Sequence, residues 1–359
     1  MTPLEQIIRD EIAVQGPMTL GRYMDLCLSH HAYGYYWTRD PFGAAGDFTT
    51  APEVSQLFGE MIGVWLADAW VRLGSPNPCI LLEAGPGRGT LMADVMRATK
   101  NMRGFHDAVQ VHLLETSPAL KKKQRDMLAQ YEVHWHNSLD TMPVEMPVLF
   151  VANEFLDALP IEQLQYEAGE WRGRAVDIGP DNALRIVTQR AGEDMRALAS
   201  ALTDQAKEGD ILELSPAIDG FCHELAILIK KQKGAGLFID YGYVQSSFGD
   251  TLQALHQHQP VSIFHQPGMS DLTAHVNFEH VTVQLRSMGL HATKTVPQKA
   301  FLEALGIEMR LAALLAHATS QQAIDLQSGY ARLTHPDAMG TLFKVIGFTS
   351  EPEAILSGF

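Results

Sequence analysis

Apolar runs, turn residues and amphipathic stretches succeed one another along this chain at the spacing of repeated strand–helix units. Ile80, Leu81 and Leu82 form an uninterrupted apolar run that ends in Glu83 and Ala84 and enters Gly85, Gly87 and Gly89. Such short runs bounded by turn residues read as strands buried on both faces. Leu91, Met92, Val95 and Met96 then recur at helical spacing and predict a helix over 91–98. The unit repeats: a strand over 109–114 ends in Glu115, Ser117-Pro118 opens a helix over 119–130, and a short strand covers 132–136. A strand over 147–152 runs into Asn153-Glu154-Phe155-Leu156-Asp157. From 161 to 190 the period changes to alternation, which predicts an antiparallel β insertion. There follow a strand over 210–214, a helix over 216–231, a strand over 236–240 and a Gln-, His-, Gly- and Pro-rich excursion over 249–275. A helix over 278–288, a strand over 290–296, a helical segment over 301–331 and a last strand over 342–348 complete an α/β pattern.

Three alternating glycines between a strand and a helix let the backbone pass close to a ligand and present N–H groups to it. The spacing is G-x-G-x-G, with Thr90 where a dinucleotide G-x-G-x-x-G would place its last glycine. A nucleotide-type ligand is therefore expected at this turn; a tight strand–helix turn with no ligand is the alternative. Glu115 lies about thirty residues beyond Gly85, one βαβ step, where a carboxylate can accept both hydroxyls of a ribose. A plain charge at a helix start is its other reading. Ser138 and Leu139 follow the 132–136 strand in the place of an adenine-edge loop. Asn153, Glu154 and Asp157 lie just past the carboxyl end of a parallel strand, over the crevice where open α/β sheets bind ligands, unless they only cap the next turn.

Composition narrows the partners. The 359 residues are 46% hydrophobic and 19% charged, enough for a sizeable core, and the formal charge of −15 argues against nucleic acid or an anionic membrane. Cys27, Cys79 and Cys222 are far apart and odd in number, so neither a disulfide framework nor a metal knuckle is expected. The pairs His134/His136 and His256/His258 lack neighbouring ligands at a zinc spacing, and no metal is assigned. Residues 1–15 read as an amphipathic helix in place of a signal or transit peptide, and no apolar run approaches a membrane span. A cytoplasmic protein with a protein or small-molecule partner is the expectation.

E-x-G-x-G-x-G after a strand resembles motif I of S-adenosylmethionine (SAM) methyltransferases. Further segments carry the likeness over nearly the whole chain: Leu26-Cys27-Leu28, Tyr33-Gly34-Tyr35-Tyr36, the run over 40–53 with Gly46, Asp47 and Thr50, the run over 153–160, Gly249-Asp250-Thr251-Leu252, and Asp271-Leu272-Thr273-Ala274-His275-Val276. Together they resemble the MidA-like family, which includes a mitochondrial complex I assembly factor described as a protein arginine methyltransferase and many bacterial proteins. The resemblance implies a Rossmann-like class I SAM-dependent methyltransferase: a mostly parallel seven-stranded sheet with helices on both faces, in a core over 76–359. It implies a helical segment over 1–75 and insertions at about 161–214, 246–276 and 300–335. SAM is the implied cofactor, held by Glu83, Gly85, Gly87, Gly89, Glu115, Ser138, Leu139 and Asn153, with Gly46, Asp47 and Thr50 as a lid or flanking wall. Those last three could instead only shape and cap a loop. Glu154 and Asp157 are expected to hold a target guanidinium, with His275 as a third wall. A small-molecule acceptor, a SAM-binding assembly factor without turnover, and a dinucleotide oxidoreductase are the competing readings.

Overall fold

The computed structural model describes residues 1–38 and 50–359. Its central sheet runs, edge to edge, His291–Ala292, Phe343–Thr349, Gly234–Tyr243, Val148–Asn153, Cys79–Ala84, Val109–Leu114, Val133–His136. The last five of these are mutually parallel, and Phe343–Thr349 inserts antiparallel between Gly234–Tyr243 and the short His291–Ala292. Two further short strands, Val276–Asn277 and Val296–Pro297, join its margins.

The unbroken apolar runs follow from helices on both faces of the sheet. Successive side chains of a strand point to opposite sides, so Leu81, Leu149, Val151 and Leu237 pack with the helices Gln56–Arg72 and Thr90–Ala98. Ile80, Leu82, Phe150 and Phe238 face the helices Pro216–Gln232 and Phe278–Ser287. The strand expected over 290–296 is interrupted. Its pairing slips by one residue between Ala292↔Phe348 and Val296↔Val345, which leaves a bulge where Thr293 Oγ1 accepts the Gly347 N–H.

Three additions surround the ligand edge. Glu162–Glu167, Glu170–Ile178, Leu184–Arg190 and Ile211–Leu214 form an antiparallel sheet that also pairs with Met18–Thr19. The 249–275 excursion folds as a small sheet of Gln253–His256, Gln259–Val261 and Asp271–Thr273. Leu4, Ile8, Tyr23 and Cys27, from the helices Pro3–Gln15 and Leu20–Ser29, share one core with Val176 and Leu272 of those two sheets. The helical stretch over 301–331 resolves into Gln298–Ala304, Ile307–Leu315 and Ser320–Thr334, divided at the left-handed Gly306 and at a capping box on Thr319. Among the described residues no helix is long and apolar enough to cross a membrane.

Candidate active site

At the carboxyl ends of the parallel strands lies a cavity of about 400 Å³. A smaller cavity shares Thr50, Gly85, Gly87 and Glu154 with it and adds Glu83 and Asn153. Of the residues expected to bind cofactor or acceptor, Thr50, Gly85, Gly87, Glu115, Ser138, Leu139, Glu154 and Asp157 line the main cavity. Gly89 does not; it is the left-handed residue that opens the helix Thr90–Ala98. Gly46 and Asp47 lie outside the described residues.

The turn needs its glycines: Gly85, Gly87 and Gly89 have φ of 66°, 53° and 88°, and a Cβ on Gly85 would come within 2.8 Å of the Phe155 ring. Thr90 Oγ1 donates to Glu53 Oε1 at 2.6 Å, so the short helix Ala51–Val54 is tied to the turn, with Thr50 as its N-cap residue. Glu115 Oε1 accepts the Ser117 N–H at 2.7 Å. Ser138 Oγ is held by Asp140.

The acidic turn after Val148–Asn153 is held from the neighbouring strand. Asp240 Oδ2 accepts the N–H groups of Phe155, Leu156 and Asp157 at 3.1, 2.9 and 3.2 Å, and its Oδ1 accepts that of Tyr241. Glu154 itself is left-handed, with φ of 50°, and its N–H bonds to Ile239 O. Its Oε1 accepts the Ala51 N–H at 3.0 Å and Asn153 Nδ2 at 3.1 Å.

Burial dominates the electrostatics. It pushes the Glu154 carboxyl up to about 7, with Asp157 adding repulsion and the Ala51 N–H and Asn153 amide holding it down. Burial pushes Asp157 to about 6 against the Tyr241 hydroxyl bonded to it. Glu83 is pushed to about 8 by burial and by Glu115. Three buried acceptor atoms, Glu83 Oε2, Asn153 Oδ1 and Asp157 Oδ1, have no hydrogen-bond partner among the described residues. The wall of the main cavity carries five carboxylates, Glu115, Glu154, Asp157, Glu224 and Asp271, and no Lys, Arg or His among the described residues, whereas Arg88, paired with Glu53 at 3.8 Å, lines the smaller cavity. A ligand rich in donors and positive charge fits this wall, and SAM, with its ammonium, sulfonium and ribose hydroxyls, is such a ligand.

His275 lies outside the cavity lining. Thr251 Oγ1 holds its N–H at 2.9 Å, and its ring meets Tyr241 edge to face at 5.4 Å. The position expected for it as a third wall is taken instead by Tyr36, Trp37 and Asp271, with Tyr36 donating to Asp271 Oδ1 at 3.2 Å. Tyr36 belongs to the Tyr33-Gly34-Tyr35-Tyr36 run and Asp271 to the segment that ends at Val276, but neither carried a role in the sequence reading. Phe221 and Glu224 enter from the helix Pro216–Gln232. Among the described residues no group of three or more His, Cys, Asp or Glu is placed to hold a metal ion.

Comparison with known proteins agrees with this geometry. Residues 61–296 match the profile of a family described as "Putative S-adenosyl-L-methionine-dependent methyltransferase". Over 96% of its length the chain is 34% identical to the Drosophila melanogaster "Protein arginine methyltransferase NDUFAF7 homolog, mitochondrial", and it covers 84% of that protein. The Xenopus laevis "Protein arginine methyltransferase NDUFAF7, mitochondrial" is 34% identical over 93% of the chain and 81% of its own length. The chain belongs to the MidA-like family of SAM-dependent methyltransferases. A Burkholderia thailandensis superfamily member crystallised with S-adenosyl-homocysteine superposes on this MidA-like chain with a TM-score of 0.84, at 27% identity over 96% of this chain and 91% of that one. The protein is thus a class I SAM-dependent methyltransferase, and SAM is its cofactor. The dinucleotide reading falls with this result. So does the cytoplasmic location: the curated relatives are mitochondrial proteins. Charge and cysteine count could not have decided that point, since three buried free thiols and an acidic balance suit any reducing compartment.

The high position of Glu83 has a measurable consequence. A carboxyl raised from 4.5 to about 8 on folding contributes stability that is fully present below pH 4.5 and is lost as the pH rises through 8. In cofactor-free protein, the thermal midpoint is expected to fall between pH 5 and pH 8 by on the order of 5 °C more in wild type than in Glu83→Gln. Parallel slopes for the two proteins in a calorimetric pH series would remove the assignment.

Proposed function

We propose that this methyltransferase delivers its methyl group to an arginine side chain of a partner protein. The observation that carries the reading is the wall of five carboxylates unrelieved by a basic side chain among the described lining residues. The relatives named as protein arginine methyltransferases support it.

SAM supplies a methyl group on a cationic sulfur, so the protein's task is to place a nucleophile in line behind it. Glu115 is assigned to the ribose hydroxyls, Ser138 and Leu139 to the adenine edge, and the turn over 85–89 with Glu83 and Asn153 to the remaining donors of the cofactor. A guanidinium stays protonated up to pH values above about 12, so it arrives as a cation and needs carboxylates that fit its planar fork. Glu154 and Asp157 stand at one strand end to grip it and offset its charge. As the methyl arrives, the reacting nitrogen must shed a proton. That role is assigned to Asp157, whose buried Oδ1 has no hydrogen-bond partner among the described residues.

The test is transfer from methyl-labelled SAM to the protein and small-molecule fractions of a lysate. Label recovered as methylarginine after hydrolysis of the protein fraction is the expected result. Label confined to small molecules would replace the acceptor with a metabolite while leaving the cofactor site intact. No label in either fraction would favour a SAM-binding assembly factor.

A further inference from the structure

Gln124 lies in the helix Pro118–Met127, directly after the three lysines at 121–123, and is wholly buried. Its amide has one possible orientation. The Trp135 Nε1–H, which can only donate, meets Oε1 at 2.9 Å, so Nε2 is the donor end. That group donates to Gly87 O at 2.7 Å and to Glu115 Oε2 at 3.1 Å. The Arg125 guanidinium lies 4.9 Å from the centroid of the Trp135 ring and covers the indole that orients the amide. One side chain therefore ties the backbone of the glycine turn to the carboxylate at the end of the next strand.

We propose that Gln124 is a positioning residue of the cofactor site: it sets the spacing between the glycine turn and Glu115, and it turns that carboxylate so that its remaining lone pairs face the ribose hydroxyls. The proposal rests on the ribose reading of Glu115 and is independent of which acceptor is methylated. A carboxylate has about four lone-pair positions. The Ser117 N–H and the Gln124 amide engage two of them and the Thr116 N–H also faces the carboxylate, which leaves the remaining acceptor capacity to the cavity that Glu115 lines. Gln124→Glu keeps the shape but sets an anionic oxygen against the Gly87 carbonyl and the Glu115 carboxylate, where two donated bonds stood.

The experiment is calorimetric binding of S-adenosylhomocysteine and of its 2′-deoxy analogue to wild type, Gln124→Glu, Trp135→Phe and Glu115→Gln. Wild type is expected to prefer the ribose form. Gln124→Glu is expected to weaken S-adenosylhomocysteine by about 30-fold and to lose most of that preference, as losing hydrogen bonds to a charged group implies. Trp135→Phe, which deletes one N–H and keeps an aromatic ring, is expected to lose part of both; it carries the test alone if Gln124→Glu does not fold. A residue that only supported the fold would weaken the two ligands equally. Preserved ribose preference in the folded Gln124 or Trp135 variants, while Glu115→Gln loses it, overturns the role of Gln124. Preserved preference in Glu115→Gln overturns the ribose reading itself and the proposal with it. Neither result touches the arginine reading, which the labelling experiment decides separately.

Discussion

Glu154→Gln is expected to lower methyl transfer by about 10²–10³-fold while leaving S-adenosylhomocysteine affinity within about threefold of wild type. The expectation starts from the backbone. A glutamate with φ of 50° sits in a region that costs a non-glycine residue about 1 kcal/mol or more, and such strain persists where surrounding bonds over-determine it. Here they do: the Glu154 N–H is held by Ile239 O, and Asp240 gathers the next three N–H groups in succession. The strained turn fixes where the carboxyl points, and the Ala51 N–H with the Asn153 amide fixes one of its oxygens. Glutamine keeps the volume and one acceptor oxygen, so the turn should survive. What it removes is the negative charge beside Asp157, and with it the bidentate partner of a cationic acceptor. The wild-type pH profile should report the same pair. With the carboxyls at about 7 and about 6, a cation is gripped only as both ionise, so transfer at subsaturating acceptor should rise with pH through that interval. A Glu154→Gln enzyme that keeps more than a tenth of wild-type transfer would remove Glu154 from the acceptor site.

How much of this was legible beforehand depends on how each residue reaches the cavity. Glu83, Glu115 and the run from Asn153 to Asp157 sit at the ends of apolar strands, and the doubly wound pattern brings parallel strand ends to one edge, so local pattern sufficed to gather them. Gln124 carries no such mark: it follows three lysines on a helix and reads as one more solvated position until Trp135 and Gly87 are seen around it. Asp240 was visible as a strand end, yet its grip on the 155–157 backbone, such as its bond to the Leu156 N–H 84 residues away in sequence, depends on two distant strands lying side by side. Tyr36 and Asp271 meet across 235 residues through two additions to the sheet, and hydrophobic periodicity does not encode that docking. His275 illustrates the opposite failure. A histidine in a loop near the ligand edge invites a chemical role, but the Ala274 N–H bonds to Asp157 O and the Thr251 hydroxyl holds the His275 N–H, and the ring is left behind Tyr241.

The glycine turn and the acidic turn are mechanically one unit, and Gly85→Ala is the substitution that exposes this. A methyl group at position 85 would meet Phe155 Cδ2 at 2.8 Å and Cβ at 3.4 Å, and the φ of 66° adds about 1 kcal/mol for any residue with a Cβ. The ring cannot retreat freely, because it packs against Phe221 with centroids 4.8 Å apart, and Phe155 directly follows Glu154 in the turn that Asp240 grips. Relief must therefore come from a shift of the glycine turn, of the acidic turn, or of both. Gly85→Ala is expected to weaken S-adenosylhomocysteine binding by about 10-fold and methyl transfer by about 100-fold, the second loss exceeding the first because displacement of the nucleophile by a fraction of an ångström adds to the loss of cofactor. Phe155→Ala removes the obstructing δ carbon and the γ carbon behind it. If the clash is the cause, the double variant Gly85→Ala/Phe155→Ala should lose less transfer than the sum of the two single losses, giving a favourable coupling of about 1–2 kcal/mol in the mutant cycle. Strict additivity of the two losses would instead trace the effect of Gly85→Ala to its own backbone strain, and the two halves of the site would then be independent.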